Sequence, residues 1–258
     1  MIQEYGICHL SAAPLRLEPS DKSEQISQLI FGESVRILDR KENWILVQNL
    51  LDGYEGWMDP KQLISLDKKP ARSLKSTVFA TSMDAKVEKT DGEWFPINPG
   101  SELFDFNGGT FNVAQKKYNF RGRAAAPNSI NAKAKVEEYS RLYLGAPYQW
   151  GGRALMGIDC SGFVQNVFKM LGVAMKRDAF QQAEQGDLVN FFEEAVVGDL
   201  AFFDNEEGRI IHVGIILPNN KVIHAAGEVR IDSLDHQGIF NAEMKKYSHK
   251  LRIIRRVI

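Results

Sequence analysis

The stretch Pro147–Gly172, PYQWGGRALMGIDCSGFVQNVFKMLG, holds one of only two cysteines in a chain of 258 residues. Cys160 stands between an acid and Ser-Gly, just before Phe163, Val164, Val167, Phe168 and Leu171. That spacing predicts one apolar face of a helix, which Gly172 ends. A cysteine that only fills a core is usually set inside an apolar run. This one falls on the first turn of the helix, where orphan N–H groups and the positive dipole end favour a thiolate. It is placed as a nucleophile.

A thiol with an ordinary pKa of about 8.5 also needs a base beside it. Of five histidines, His9 neighbours Cys8, and His236 and His249 sit in polar, loop-like segments. His212 and His224 lie in two strand-like runs, RIIHVGIIL and KVIHAAG, joined by the turn signal Pro218-Asn-Asn. A hairpin centred on Pro218 would set the two opposite each other, side chains on one face. One imidazole can then meet the thiol while the other orients it, a Cys-His-His triad. Either histidine alone reads as structural, and Cys/His sets also bind zinc. One thiol and two imidazoles, with no Cys-x-x-Cys or His-Glu-x-x-His spacing, favour catalysis, so no metal and no cofactor is expected. Asp159 and Ser161, which flank the nucleophile, are both good helix-capping residues.

Outward from this centre the pattern changes twice. Upstream, Ala132, Val136, Tyr139 and Tyr143 mark a helical face stopped by Gly145 and Pro147, with Ser129 as the candidate cap. Downstream, a short helix at DAFQQAEQG, capped by Asp178, gives way to strands: DLAFFD, the two histidine runs, VRIDSL and LRIIRRVI. Helices followed by strands indicate an α+β domain. Residues 5–66 read instead as short strands with Gly32, Asn43, Asp52-Gly53 and Gly56 as punctuation, a small β-barrel. Residues 70–123 are β-rich again, and Gly100-Ser-Glu-Leu-Phe-Asp-Phe echoes Gly32-Glu-Ser-Val-Arg-Ile-Leu. RGRAAAPNS reads as the linker to the last domain.

Composition narrows the classes. A net charge of −1 offers no electrostatic case for nucleic acid or an anionic membrane. Two cysteines cannot form a disulfide framework, and Cys8, in EYGICHL, reads as a core residue. No leader and no membrane-spanning run is evident. A monomer in the cytoplasm is the expectation, with an exported or periplasmic protein that has lost its signal peptide as the alternative.

Two resemblances carry the reading further. PLRLEPSDKSEQISQLIFGESVRILDRKENWILVQNLLDGYEGWM resembles bacterial SH3-like domains, which accompany cell-wall enzymes. PYQWGG, DCSGFV, RDAFQQAEQG, VGDLAFF, HVGIIL and VIHAAG, in that order, resemble the NlpC family of papain-like cell-wall cysteine peptidases. Together they resemble the subgroup that cleaves γ-D-glutamyl–diamino acid bonds in peptidoglycan stem peptides. The implied fold is two small all-β SH3-like barrels (residues 1–66 and 67–123) followed by an α+β papain-like domain (124–258).

The resemblance makes Cys160 the nucleophile, His212 the base, His224 its partner and Tyr148 an oxyanion donor. It places Trp150 in the pocket wall, and gives Asp159, with Ser161 beside it, a part in holding the substrate's L-Ala amine. Glu24 and Tyr54 of the first SH3-like domain are the matching further members of that subsite. Ala179, in KRDAFQQ, stands where some relatives carry a hydroxyl. The expected substrate is a stem peptide with a free N-terminal L-Ala, hence a recycling role. An exported hydrolase of intact wall, a wall-peptide binding protein with an idle site, and an acyltransferase are the rival readings.

Overall fold

The computed structural model describes residues 4–70, 73–89, 92–114, 116–127 and 131–258. They fall into two compact units, Met1–Pro127 with Trp150–Leu155, and Asn128–Gln149 with Met156–Ile258. The cap assigned to Ser129 lies outside the described residues.

The first unit carries two antiparallel sheets. One comprises β1 (Glu4–Cys8), β2 (Ala12–Arg16), β3 (Gln25–Ile30), β4 (Ser34–Lys41), β5 (Trp44–Asn49), β6 (Glu55–Met58) and β7 (Leu63–Leu66). The other comprises β8 (Val78–Ala80), β9 (Lys86–Glu88), β10 (Trp94–Pro96), β11 (Glu102–Asn107), β12 (Thr110–Val113), β13 (Lys116–Arg121) and β14 (Ala124–Ala125). Their orders are β3-β2-β6-β5-β4-β1-β7 and β10-β9-β13-β12-β11-β8-β14. Counted from its own first strand, each sheet has the same order. The glycine echo marks equivalent corners. Gly32 and Gly100 both take positive φ, 87° and 82°, two residues before β4 and β11. Their N–H groups donate to Cys8 and Ala80, the last residues of β1 and β8. Gly32 has no substitute, because a Cβ there would run into the carbonyl oxygen of Glu102.

In the second unit, α1 (Ala132–Arg141) buries Val136 and Tyr139. The predicted face runs on to a buried Tyr143, beyond the helix end, before the chain turns at Gly145. A short strand β15 (Arg153–Ala154) belongs to the first unit and β16 (Gly157–Ile158) to the second. Then come α2 (Cys160–Met170), buried along its whole length, and the single turn α3 (Ala179–Gln182). The predicted cap of α3 is present: the Gln181 side chain accepts the N–H of Asp178.

The remaining strands are β17 (Asp187–Val189), β18 (Leu200–Asp204), β19 (Ile210–Leu217), β20 (Lys221–Ala226), β21 (Glu228–Asp235), β22 (Gly238–Asn241) and β23 (Lys246–Arg256). They run β17-β23-β18-β19-β20-β21-β22, and β22 pairs again with β23. The eleven-residue β23 closes the sheet into a ring. Inside lie Ala201, Phe203, Ile216, Val222, Leu234, Ile239 and Ile254, while α2 packs on β19 and β20. Among the described residues no helix is long and apolar enough to cross a membrane.

The first unit holds an ion pair with no exposed side-chain surface. Arg153 donates through both terminal nitrogens to Glu33, at 2.7 Å each. Removing one member strands the other charge, which typically costs about 3–5 kcal/mol. Glu33→Gln should therefore lower the urea midpoint of the full chain by the equivalent of about 3 kcal/mol. An unchanged midpoint would show the pair to be idle.

Candidate active site

The sequence around residue 160 folds so that one side chain serves two purposes. Asp159 caps α2 by accepting the Gly162 N–H at 2.7 Å. The same carboxylate holds Arg177, which donates to Oδ1 at 3.1 Å and Oδ2 at 2.6 Å, and also to the Ser161 hydroxyl at 2.9 Å. All three side chains are buried. Arg177 thus ties the tip of α2 to the segment before α3, a role that no local pattern announces.

Cys160 follows directly, only 7% exposed. The helix start was expected to lower its pKa, but burial wins. Burial first, and the Asp159 charge second, push the thiol up to about 12, against backbone hydrogen bonds from Val213 and Ser161 and the charge of Arg177. The contact with Val213 sets the thiol one residue from His212. Tyr148, about one-third exposed, is held by its N–H on the carbonyl of Gly227 at 2.9 Å. Burial, then the nearby Cys160 and Asp159 charges, raise its phenol to about 12, so it stays a hydroxyl donor.

The histidines share a face, as predicted, but not by direct opposition. His224 pairs with Gly214, because the turn takes Pro218, Asn219 and Asn220, the last two at positive φ. His212 stands one diagonal away, still on the same face. Its Nε2 lies 2.8 Å from Nδ1 of His224. Gly214 leaves room for this, since a Cβ there would stand 2.5 Å from Cγ2 of Val222 and 3.0 Å from Cβ of His224.

The line continues to a residue that the sequence reading missed. Nε2 of His224 meets Oδ2 of Asp232 at 3.1 Å, and Arg230 donates to both oxygens of Asp232 at 2.9 and 3.2 Å. Burial works to raise the Asp232 pKa, but hydrogen bonds from His224 and Arg230 outweigh it and hold the carboxyl low. An ionised Asp232 accepts the Nε2–H of His224, which leaves Nδ1 of that ring to accept from His212. His212 then donates from Nε2, and its Nδ1 keeps the lone pair. Burial, then the neighbouring His224 and His249, hold His212 well below its usual pKa, so it is a neutral base.

His249 lies not in a loop but in β23, its ring stacked on His212 at 4.3 Å. Burial, chiefly, lowers its pKa to about 4. Ligand atoms of His212, His224 and His249 lie within 4.8 Å of one another. Two nitrogens on one zinc would stand about 3.3 Å apart, whereas His212 and His224 are in hydrogen-bond contact and His249 is stacked. The arrangement is that of a proton relay more than of a ligand cage.

Glu24, Tyr54 and Trp150 belong to the first unit. There the Trp150 indole donates to Glu24 at 2.6 Å, and Gln25 donates to the Trp150 carbonyl at 3.3 Å. Tyr54, half-buried, has its N–H fixed by Asp52 at 2.8 Å.

A thiol held near 12 is almost wholly protonated at neutral pH. Alkylation of Cys160 by iodoacetamide, read by peptide mass spectrometry, should climb with pH to roughly pH 10 without levelling. A plateau starting in the acid range would instead reveal a resting thiolate–imidazolium pair.

Comparisons with known proteins agree with this architecture. The sequence model of the NlpC/P60 family matches residues 145–248, and that of the bacterial dipeptidyl-peptidase Sh3 domain matches 15–63, so the N-terminal domain is SH3-like. The chain is 29% identical over 218 residues to a protein of Bacillus subtilis strain 168 named gamma-D-glutamyl-L-lysine dipeptidyl-peptidase, covering 77% of this chain and 71% of that one. A probable endopeptidase of Haemophilus influenzae is 34% identical over 128 residues, 49% of this chain and 78% of its own. In fold, an NlpC/P60 family protein from Bacillus cereus superposes with a TM-score of 0.81 at 20% identity, over 98% of this chain and 99% of that one. The chain belongs to the NlpC/P60 family of cysteine peptidases.

Proposed function

We propose that this peptidase hydrolyses the γ-D-glutamyl–diamino acid bond of peptidoglycan stem peptides with a free N-terminal L-Ala. The observation that carries the chemistry is the line His212–His224–Asp232, which leaves one lone pair on His212, the residue before Val213, whose backbone hydrogen-bonds Cys160. The Bacillus subtilis relative, named for a γ-D-glutamyl-lysine bond, supports the choice of bond.

Cys160 is the nucleophile. Its proton passes to Nδ1 of His212 as sulfur adds to the γ-carbonyl carbon. With thiol and imidazole both neutral at rest, transfer accompanies attack instead of preceding it. The oxyanion takes hydrogen bonds from the Tyr148 hydroxyl and an N–H at the start of α2. The imidazolium then protonates the departing amine, the C–N bond breaks, and a thioester remains. Water, deprotonated by His212, attacks it and frees the γ-carboxylate and the thiol. His224 and Asp232 hold the base in one tautomer throughout.

Asp159, Glu24 and Tyr54 keep the amine-binding role that the resemblance implies, Ser161 its place beside the nucleophile and Trp150 that of pocket wall. At Asp159 an ammonium would join an existing pair with Arg177. The shared strand order and matching glycine corners support reading the second sheet as a diverged SH3-like module. The division 1–66, 67–123 and 124–258 follows from it. A monomer acting on peptides already cut from glycan, in the cytoplasm, fits a demand for free amines.

The test is a mass-spectrometric digest of L-Ala-γ-D-Glu-diaminopimelate beside its N-acetylated twin, with Cys160→Ala as control. Cleavage of the free-amine peptide alone is expected. Equal cleavage of both would sink the amine requirement and favour intact wall as substrate. In the same assay Gly214→Ala, which crowds His224, should lose about a hundredfold in kcat/KM, the scale of an ångström-sized displacement of a catalytic group.

A further inference from the structure

The relay leaves one buried acid unused. Asp204 ends β18, next to Phe203, whose ring lies 5.7 Å from that of His212 and 5.9 Å from that of His249. A register shift in the pairing with β19 falls just here. Phe203 pairs with His212 but Asp204 with Ile210, so Ile211 is the extra residue. Bulges of this kind re-aim side chains beside active sites.

The Asp204 side chain is 5% exposed, and its Oδ1 is buried with no hydrogen-bond partner among the described residues. The other oxygen has Arg252 Nε at 3.7 Å, on a largely exposed side chain. A buried carboxylate oxygen without a donor is costly, and such groups in native proteins call for an explanation. A cavity of about 720 Å³ adjoins this carboxylate. Asp204 lines it together with Glu206, Ile211, His249 and Lys250. His249 is the shared wall, since its ring also stacks on the base. The cavity therefore begins one imidazole beyond His212.

Chemistry limits the occupant. His212 must hand its proton to the departing amine, so the residue that leaves has to lie on the base's side of the scissile bond. In the reaction proposed above, on which this inference rests, that residue is a diamino acid. It carries a carboxylate and a second ammonium several bonds away. Asp204 and Glu206 match the ammonium, and Lys250 matches the carboxylate. We infer that this cavity is the leaving-group subsite, and that Asp204 binds the distal ammonium of the diamino acid.

The experiment compares L-Ala-γ-D-Glu-L-Lys with the norleucine peptide, which has the same chain length and no amine. A hydrogen bond between two charged groups corresponds to about tenfold to a hundredfold in kcat/KM. The wild type should prefer lysine by that factor. Asp204→Asn should bring the two peptides within about twofold by slowing lysine alone, its unchanged norleucine turnover showing an intact fold. A lysine preference that survives in Asp204→Asn would overturn the subsite, as would a wild type indifferent to the amine. Should the variant be inactive on both, wild type with Nε-acetyl-lysine at the same position decides, equal cleavage counting against the subsite. Failure of the wild type to cut any γ-D-glutamyl peptide would instead remove the parent reading, and the subsite with it.

Discussion

The constraint on which the site depends is the direction of a single proton chain. An imidazole can serve as base only if the right nitrogen has the lone pair, and nothing within His212 itself decides which nitrogen that is. The decision is made two strands away. Arg230 keeps Asp232 ionised, Asp232 claims the Nε2 proton of His224, and His224 in turn claims that of His212. The steps His212–His224 and His224–Asp232 each run one diagonal across adjacent antiparallel strands, and Arg230 sits two residues from Asp232 on β21, so strand register is the physical carrier of the tautomer. A slip of one residue would send one of these side chains to the other face.

Ring closure serves the same end. Strand β23 pairs with β18 on one edge and with β22 and β17 on the other, which fixes the strands of the relay from both sides. It also delivers His249 to cover the base. Burial lowers the pKa of both imidazoles. An acceptor at rest and a donor after attack is what a base that cycles twice per turnover requires.

Much of this was legible in the residues. Cys160 at a helix start, the apolar face of α2, and two histidines in strand-like runs are local patterns, and local patterns survive folding. The register was read two residues off because Pro218 looked like the centre of the turn. Asn219 and Asn220 tolerate positive φ and moved the centre to Asn219. His249 was read as loop because Lys246–Lys250 is polar. That segment is strand through hairpin pairing with β22, whose Ile239 stands opposite His249. Asp232 and Arg177 meet their partners through distances in space that no spacing in the chain encodes. In the first unit the glycine echo was faint as sequence and plain as structure. Conversely, Phe31 looked like part of the first module and instead sits among Phe95, Phe111 and Tyr118 of the second sheet, ring centroids 5.8–5.9 Å apart.

The burial of Cys160 has a further consequence, for durability. Peroxides attack thiolates, and each step from sulfenic to sulfonic acid starts from the ionised sulfur. A nucleophile that stays protonated between turnovers offers oxidants almost nothing to attack. The burial that raises the thiol pKa therefore also disfavours the ionised sulfur that oxidants attack.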